Sequence, residues 1–270
     1  MACILLKWII ILRSHPFHIS ESVSVSRIMK TILSFSVITL LAMTPLTNAG
    51  SSSGQQTSEI QKSIESTTDP NSTVADIIYD SLNLEKLGLK KEAFEYAYAG
   101  YQNLSEKGEL NNQDVITICD LSQSSSKKRL YLIDIKDYKV LLNTYVAHGR
   151  NSGGEYAKKF SNNPQSLQSS LGFYKTKKTY YGSHGLALTI TGLEKGFNDK
   201  AERRKIVVHG SDYIGDNYLR LAKYMGRSFG CPAIPKKYTK TLINTIKNGS
   251  CLFIYHPDKN YLTNSKILNG

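Results

Sequence analysis

The feature that most constrains this chain is a change of hydrophobic period at Val115. Upstream, Lys90 to Glu106 sets Ala93, Phe94, Ala97, Tyr98 and Tyr101 on one stripe at helical spacing, which reads as core packing. A shorter helix is expected from Val74 to Leu87, with Gly88 as its stop. Downstream, Val115-Ile116-Thr117-Ile118-Cys119 is short, apolar and β-branched. Arg129–Ile135 and Lys139–Ala147 flank a turn and read as a hairpin. Further strands fit Leu171–Tyr174, Leu186–Thr191, Lys205–Val208 and Cys251–Tyr255, and short helices fit Asn217–Met225 and Lys237–Lys247. A helical segment, 73–110, therefore precedes a mainly β domain with a few helices, 111–270.

The N-terminus reads as an address. Met29-Lys30, an apolar run from Thr31 to Met43, and Thr47-Asn48-Ala49 have the order of a signal peptide, so residues 1–49 are expected to be removed. The odd stretch before Met29 suggests that translation begins there. Residues 50–72 are polar and are expected to form a flexible leader. The expected location is secreted, in the periplasm or cell-wall space, with no stable membrane insertion after cleavage.

Composition narrows the partners. The 270 residues carry 34 Lys+Arg against 22 Asp+Glu, and removal of 1–49 takes four basic and one acidic residue, leaving +9. That charge favours anionic partners. Nucleic acid is not expected, because the chain has no basic-aromatic motif. No Cys-x-x-Cys or His-x-x-His follows residue 49, so neither metal nor cofactor is expected. The chain is expected to be a monomer. Cys119, Cys231 and Cys251 remain, and the first and last sit in apolar runs that suit buried free thiols, a mutual bridge being the alternative.

Chemistry concentrates in two places. Ile206-Val207-Val208-His209-Gly210 is an apolar strand delivering a histidine, and Arg227-Ser228-Phe229-Gly230-Cys231-Pro232 is a loop presenting a cysteine. A cysteine needs a base or cation to become a thiolate near neutral pH, and histidine is the usual supplier. Gly230 would let a substrate carbonyl approach the backbone, where N–H groups hold an oxyanion. The residues alone leave a second reading open, a buried thiol and a structural histidine.

His209-Gly210 and Ser228-x-Gly230-Cys231 together resemble the active-site signature of L,D-transpeptidases of the YkuD type, in the murein L,D-transpeptidase catalytic domain branch. Tyr145 to Gly153, Ser169 to Tyr174, and Tyr181-Gly182-Ser183-His184-Gly185 match as well, over roughly residues 113–257. The resemblance implies an L,D-transpeptidase-like β-sandwich catalytic domain, acting on peptidoglycan stem peptides through a thioester acyl-enzyme. It implies Cys231 as nucleophile, His209 as base and the Gly210 carbonyl as the group that orients the imidazole. Ser228, Gly230, Arg227, Tyr181 and His184 are the expected substrate contacts, with Arg150 beside Arg227 for a carboxylate. Phe229 and Ala233 depart from the broader family's pattern, which puts acceptor choice in doubt. Alternatives are a hydrolytic L,D-carboxypeptidase and an inactive wall-binding module.

Overall fold

Residues 52–66 and 73–270 are described by the computed structural model, so the expected signal peptide and the start at Met29 lie outside the described residues. Three helices come first: α1 (Ser52–Ser66), α2 (Val74–Ser81) and α3 (Lys91–Glu106). Thr73 caps α2 in a reciprocal box: its hydroxyl accepts from Asp76 N, and the Asp76 carboxylate accepts from Thr73 N. On α3 the predicted stripe of Ala93, Phe94, Ala97, Tyr98 and Tyr101 is buried. Gly100 completes it, because a Cβ there would lie 2.0 Å from the ring of Phe173, and glycine lets the helix close on the sheet. The helical segment thus shares one core with the strands.

Helix α1 corrects the expectation of a flexible leader over 52–66, the rest of 50–72 lying outside the described residues. Ile60 is buried and Ile64 packs beside it, one helical turn apart in an otherwise polar stretch. Thr57 Oγ1 donates to the Asp137 carbonyl at 2.9 Å, and Tyr138 OH donates to Gln61 at 3.4 Å. Two isoleucines and these bonds hold the helix on α2 and on the turn of the predicted hairpin.

Eight strands follow: β1 (Val115–Asp120), β2 (Leu130–Asp134), β3 (Lys139–Thr144), β4 (Gly172–Gly182), β5 (Gly185–Gly192), β6 (Val207–Ser211), β7 (Ala233–Pro235) and β8 (Cys251–Tyr255). They form one hydrogen-bonded series, β3-β2-β1-β8-β4-β5-β6-β7, in which β1/β8 and β6/β7 are parallel. The mainly β architecture with a few helices is what the chain adopts. Helix α5 (Lys236–Ile246) packs its buried Leu242, Ile243 and Ile246 into the same core. Helices α6 (Lys259–Asn264) and α7 (Lys266–Asn269) close the chain, tied to buried Glu194 by Tyr261 and Ser265.

Several boundaries differ from the sequence reading: α2 ends at Ser81 rather than Leu87, with turns filling the stretch up to Gly88, and β3 ends at Thr144 rather than Ala147. β4 runs past Tyr174 to Gly182, because its outer half pairs with β5 in a long hairpin. β6 extends through His209 to Ser211, so the histidine lies inside the strand. The helix expected over Asn217–Met225 shrinks to α4 (Asp216–Leu219), since the segment has little to bury: Leu221 is 91% exposed, and Met225 is the one buried apolar anchor. No helix among the described residues is long and apolar enough to cross a membrane.

Candidate active site

The site is assembled by the parallel pairing of β6 with β7. His209 stands opposite Ala233, which carries Cys231, two residues earlier, back along β6 toward Val207. The thiol meets that backbone directly: Val207 N donates to Sγ at 3.5 Å, and Sγ lies 3.8 Å from the Lys205 carbonyl. These are the thiol's hydrogen-bond partners, and the His209 ring is not among them. The structure thus brings His209 and Cys231, 22 positions apart in sequence, to neighbouring chain segments.

His209 is oriented by its own chain. Nδ1 lies 3.0 Å from the Gly210 carbonyl. A carbonyl only accepts, so Nδ1 carries the proton and Nε2 keeps a free lone pair. Burial lowers the imidazole's affinity for a proton, the Gly210 carbonyl offsets part of this, and His184 lowers it further. Burial pushes the Cys231 thiol up, against the Val207 N–H and the Arg204 charge, which pull it down. Both shifts run toward the neutral forms, thiol and imidazole.

The cysteine loop is locked from inside. Ser228 Oγ donates to the Cys231 carbonyl at 2.6 Å and accepts from Gly230 N at 3.1 Å. Ser228 N donates to the His148 carbonyl at 3.0 Å, while its own carbonyl accepts from Arg150 N at 2.8 Å. Gly230 has φ +120°, and a Cβ there would come within 2.7 Å of the Gln168 carbonyl, so only glycine fits. Both residues were expected to touch substrate. Instead they are buried and shape the loop, and the Gly230 N–H is consumed by Ser228, leaving the Cys231 N–H without a hydrogen bond among the described residues.

Of the hairpin candidates, the structure brings one to the site. His184, at the tip between β4 and β5, stacks on His209 with ring centroids 4.4 Å apart and 20° between planes. Tyr181 is 83% exposed and points away into solvent. Arg227 and Arg150 line a cleft of about 450 Å³ with Lys223, Tyr224 and Phe229. Arg227 lies over Tyr224 and Arg150 over Phe229, at 6.0 and 5.9 Å. Among the described residues neither guanidinium has a carboxylate partner.

Sequence reasoning missed two arginines. Arg129, fully buried, bonds the Val146 and Gln123 carbonyls and His148 Nδ1 at 2.7 Å, behind the cysteine loop. Arg204 sits on the other side of that loop and bonds four groups of the 161–170 segment. Its place in Arg203-Arg204-Lys205 looks like solvated surface, and nothing in the run marks it. Cys119 and Cys251 are buried free thiols. Among the described residues no group of His, Cys, Asp and Glu gathers to hold a metal.

A family model described as the L,D-transpeptidase catalytic domain matches residues 85–255, most of the chain. The chain belongs to that family. No curated protein matches it. Solved structures similar to it include an L,D-transpeptidase from Mycobacterium smegmatis, at 11% identity and TM-score 0.34 over 53% of this chain and 59% of that one. Another, from Xylanimonas cellulosilytica, shares 18% identity at TM-score 0.31 over 52% and 60%. A third, from Mycobacterium tuberculosis, shares 15% at 0.32 over 53% and 58%. The chain spans about three fifths of the length of these structures.

Proposed function

We propose that this chain is a cysteine-dependent L,D-transpeptidase acting on peptidoglycan stem peptides, a secreted monomer of the periplasm or cell-wall space that needs no cofactor. The observation that carries the reading is the β6/β7 register, which sets Cys231 beside the strand that holds His209 with Nε2 free.

His209 Nε2 takes the thiol proton as Sγ bonds the carbonyl carbon of the diamino acid's L-centre. The Cys231 N–H is the available donor for the resulting oxyanion. The amide C–N bond breaks, the leaving D-alanine nitrogen takes the proton from the imidazolium, and a thioester remains. A side-chain amine of a second stem then attacks the thioester, giving one N–H proton to His209 Nε2, which returns it to Sγ as the C–S bond breaks, and an L,D cross-link forms. The Arg150/Arg227 cleft suits a stem-peptide carboxylate near the loop.

Mass spectrometry of stem tetrapeptides incubated with the enzyme tests this. Cross-linked dimers that vanish in Cys231→Ala support it. Shortened stems without dimers would point instead to the carboxypeptidase, and intact stems would overturn both.

A further inference from the structure

Arg204 stands behind the cysteine loop, at Gly230. Its Nη2 lies 3.1 Å from the point a Cβ on Gly230 would occupy, and Ile206 fills the space beside it. The guanidinium is half-buried and uses both arms: Nη1 donates to the Ser161 carbonyl at 2.8 Å and Ser170 Oγ at 3.0 Å, while Nη2 donates to the Gln168 carbonyl and Ser166 Oγ. The Gln168 carbonyl is the same one that forbids a side chain at Gly230, so arginine, loop and glycine form one contact. All four acceptors are neutral. The carboxylates nearby in sequence are engaged elsewhere, Glu202 with Lys177 and Thr191, Asp199 with Asn162 and Gly196 N. A full positive charge is thus held beside the cysteine loop with no carboxylate partner among the described residues.

We propose that Arg204 is a positioning residue for the nucleophile, pegging the 161–170 segment behind Gly230 and lending its charge to the thiolate that Cys231 forms during attack. The proposal rests on Cys231 as nucleophile. Other titratable or charged groups around the thiol are His209 on β6, Lys205 whose carbonyl it meets, Tyr213 after β6, and His184 at the hairpin tip. Arg227, on the thiol's own loop, turns away to the Gly153 carbonyl and Tyr224. Arg204 is the cation that favours the Cys231 thiolate, and the thiolate reciprocally favours the charge on Arg204. Arginine suits both tasks, since its planar fork makes several bonds at once and never loses its charge.

The test is the pH profile of Cys231 alkylation by iodoacetamide, read by intact mass on the full folded chain. Arg204→Gln and Arg204→Met remove the charge while keeping, respectively, some hydrogen bonding and the apolar stem, so that one neutral variant can stand in if the other does not fold. Each should raise the alkylation midpoint by about one pH unit, slowing the reaction on the order of tenfold well below it. Arg204→Lys should keep the midpoint near that of the parent while losing thermal stability. A midpoint unmoved in the neutral variants, with Tm lowered in all three, would reduce Arg204 to a structural peg and overturn the proposal. Failure of the parent itself to react selectively at Cys231 would instead sink the nucleophile reading, and this inference with it.

Discussion

His184 and His209 lie ring on ring, centroids 4.4 Å apart, although one sits at an exposed hairpin tip and the other inside β6. The outer ring covers the inner, and burial first, then the neighbouring His184, disfavours the imidazolium of His209. A base must be unprotonated to act, so a depressed value keeps His209 competent to lower pH. His184→Ala should expose the ring and raise that value, moving the acid limb of the acylation profile to higher pH. Rates at mildly acidic pH should drop several-fold, and those on the alkaline side much less. An unmoved acid limb would show that the stack plays no part.

Selective acylation separates an enzyme from a binding module. A carbapenem-type β-lactam should leave one adduct, on Cys231, by intact-mass measurement. Cys119 and Cys251 are fully buried, and burial pushes both thiols up, that of Cys119 to about 12, so neither should react. Cys231→Ala should abolish the adduct without unfolding the chain. His209→Ala should slow it by about 10²–10⁴-fold, the usual worth of a positioned base. Labelling at Cys119 or Cys251 would place the chemistry elsewhere.

The cysteine loop should fail in two distinguishable ways. Gly230→Ala meets the Gln168 carbonyl at 2.7 Å in a conformation reserved for glycine, a strain of about 1–3 kcal/mol that the loop can relieve only by moving Cys231. Stability and acylation should fall together. Ser228→Ala loses two internal bonds and leaves the Gly230 N–H unsatisfied, at about 1–3 kcal/mol, yet keeps the backbone path. Its main loss should be in Tm, with partial acylation retained. Equal and complete inactivation of both would mean the Ser228 hydroxyl touches substrate after all.

How far the sequence showed this follows from what each residue does. Cys231 and His209 stood out as candidates because few residue types can serve that chemistry, and β8 was legible from its unbroken, β-branched and aromatic run. The α3 stripe declared itself by period. β7 did not: three residues gain strand character only by pairing with a segment more than 20 positions upstream, and register at that distance leaves no local mark. α1 was hidden because Ile60 and Ile64 are two apolar residues in an otherwise polar stretch, too few to set a period. Ser228 misled because a loop hydroxyl reads as available until its inward partners are seen. Period-two alternation leaves Tyr181 opposite Leu186 in the β4/β5 register, but which face of that hairpin met His209 was a tertiary matter.

Stability should depend on pH through His148. His148 is fully buried, with Nδ1 2.7 Å from the Arg129 guanidinium and Nε2 turned to the Gly153 carbonyl. A guanidinium donates only, so Nδ1 must be the unprotonated nitrogen. Burial first, then the Arg129 charge, lower the histidine from 6.5 to about 4. The unfolded chain therefore binds more protons than the folded one between those values, and stability must rise with pH across that window. Read downward, it is undiminished above pH 6.5, declines as acid protonates the unfolded chain, and stops falling near pH 4. The whole step is about 3 kcal/mol at 1.36 kcal/mol per unit. The loss matters to the site because the His148 carbonyl accepts from Ser228 N and so anchors the cysteine loop. Urea unfolding of the parent and of His148→Asn, at pH 4 and pH 7, isolates the contribution. The variant should be less stable at pH 7, and the difference between the two proteins should shrink by most of that amount at pH 4. A difference independent of pH would show that His148 does not titrate in this window and that the Arg129 contact is not what holds it neutral.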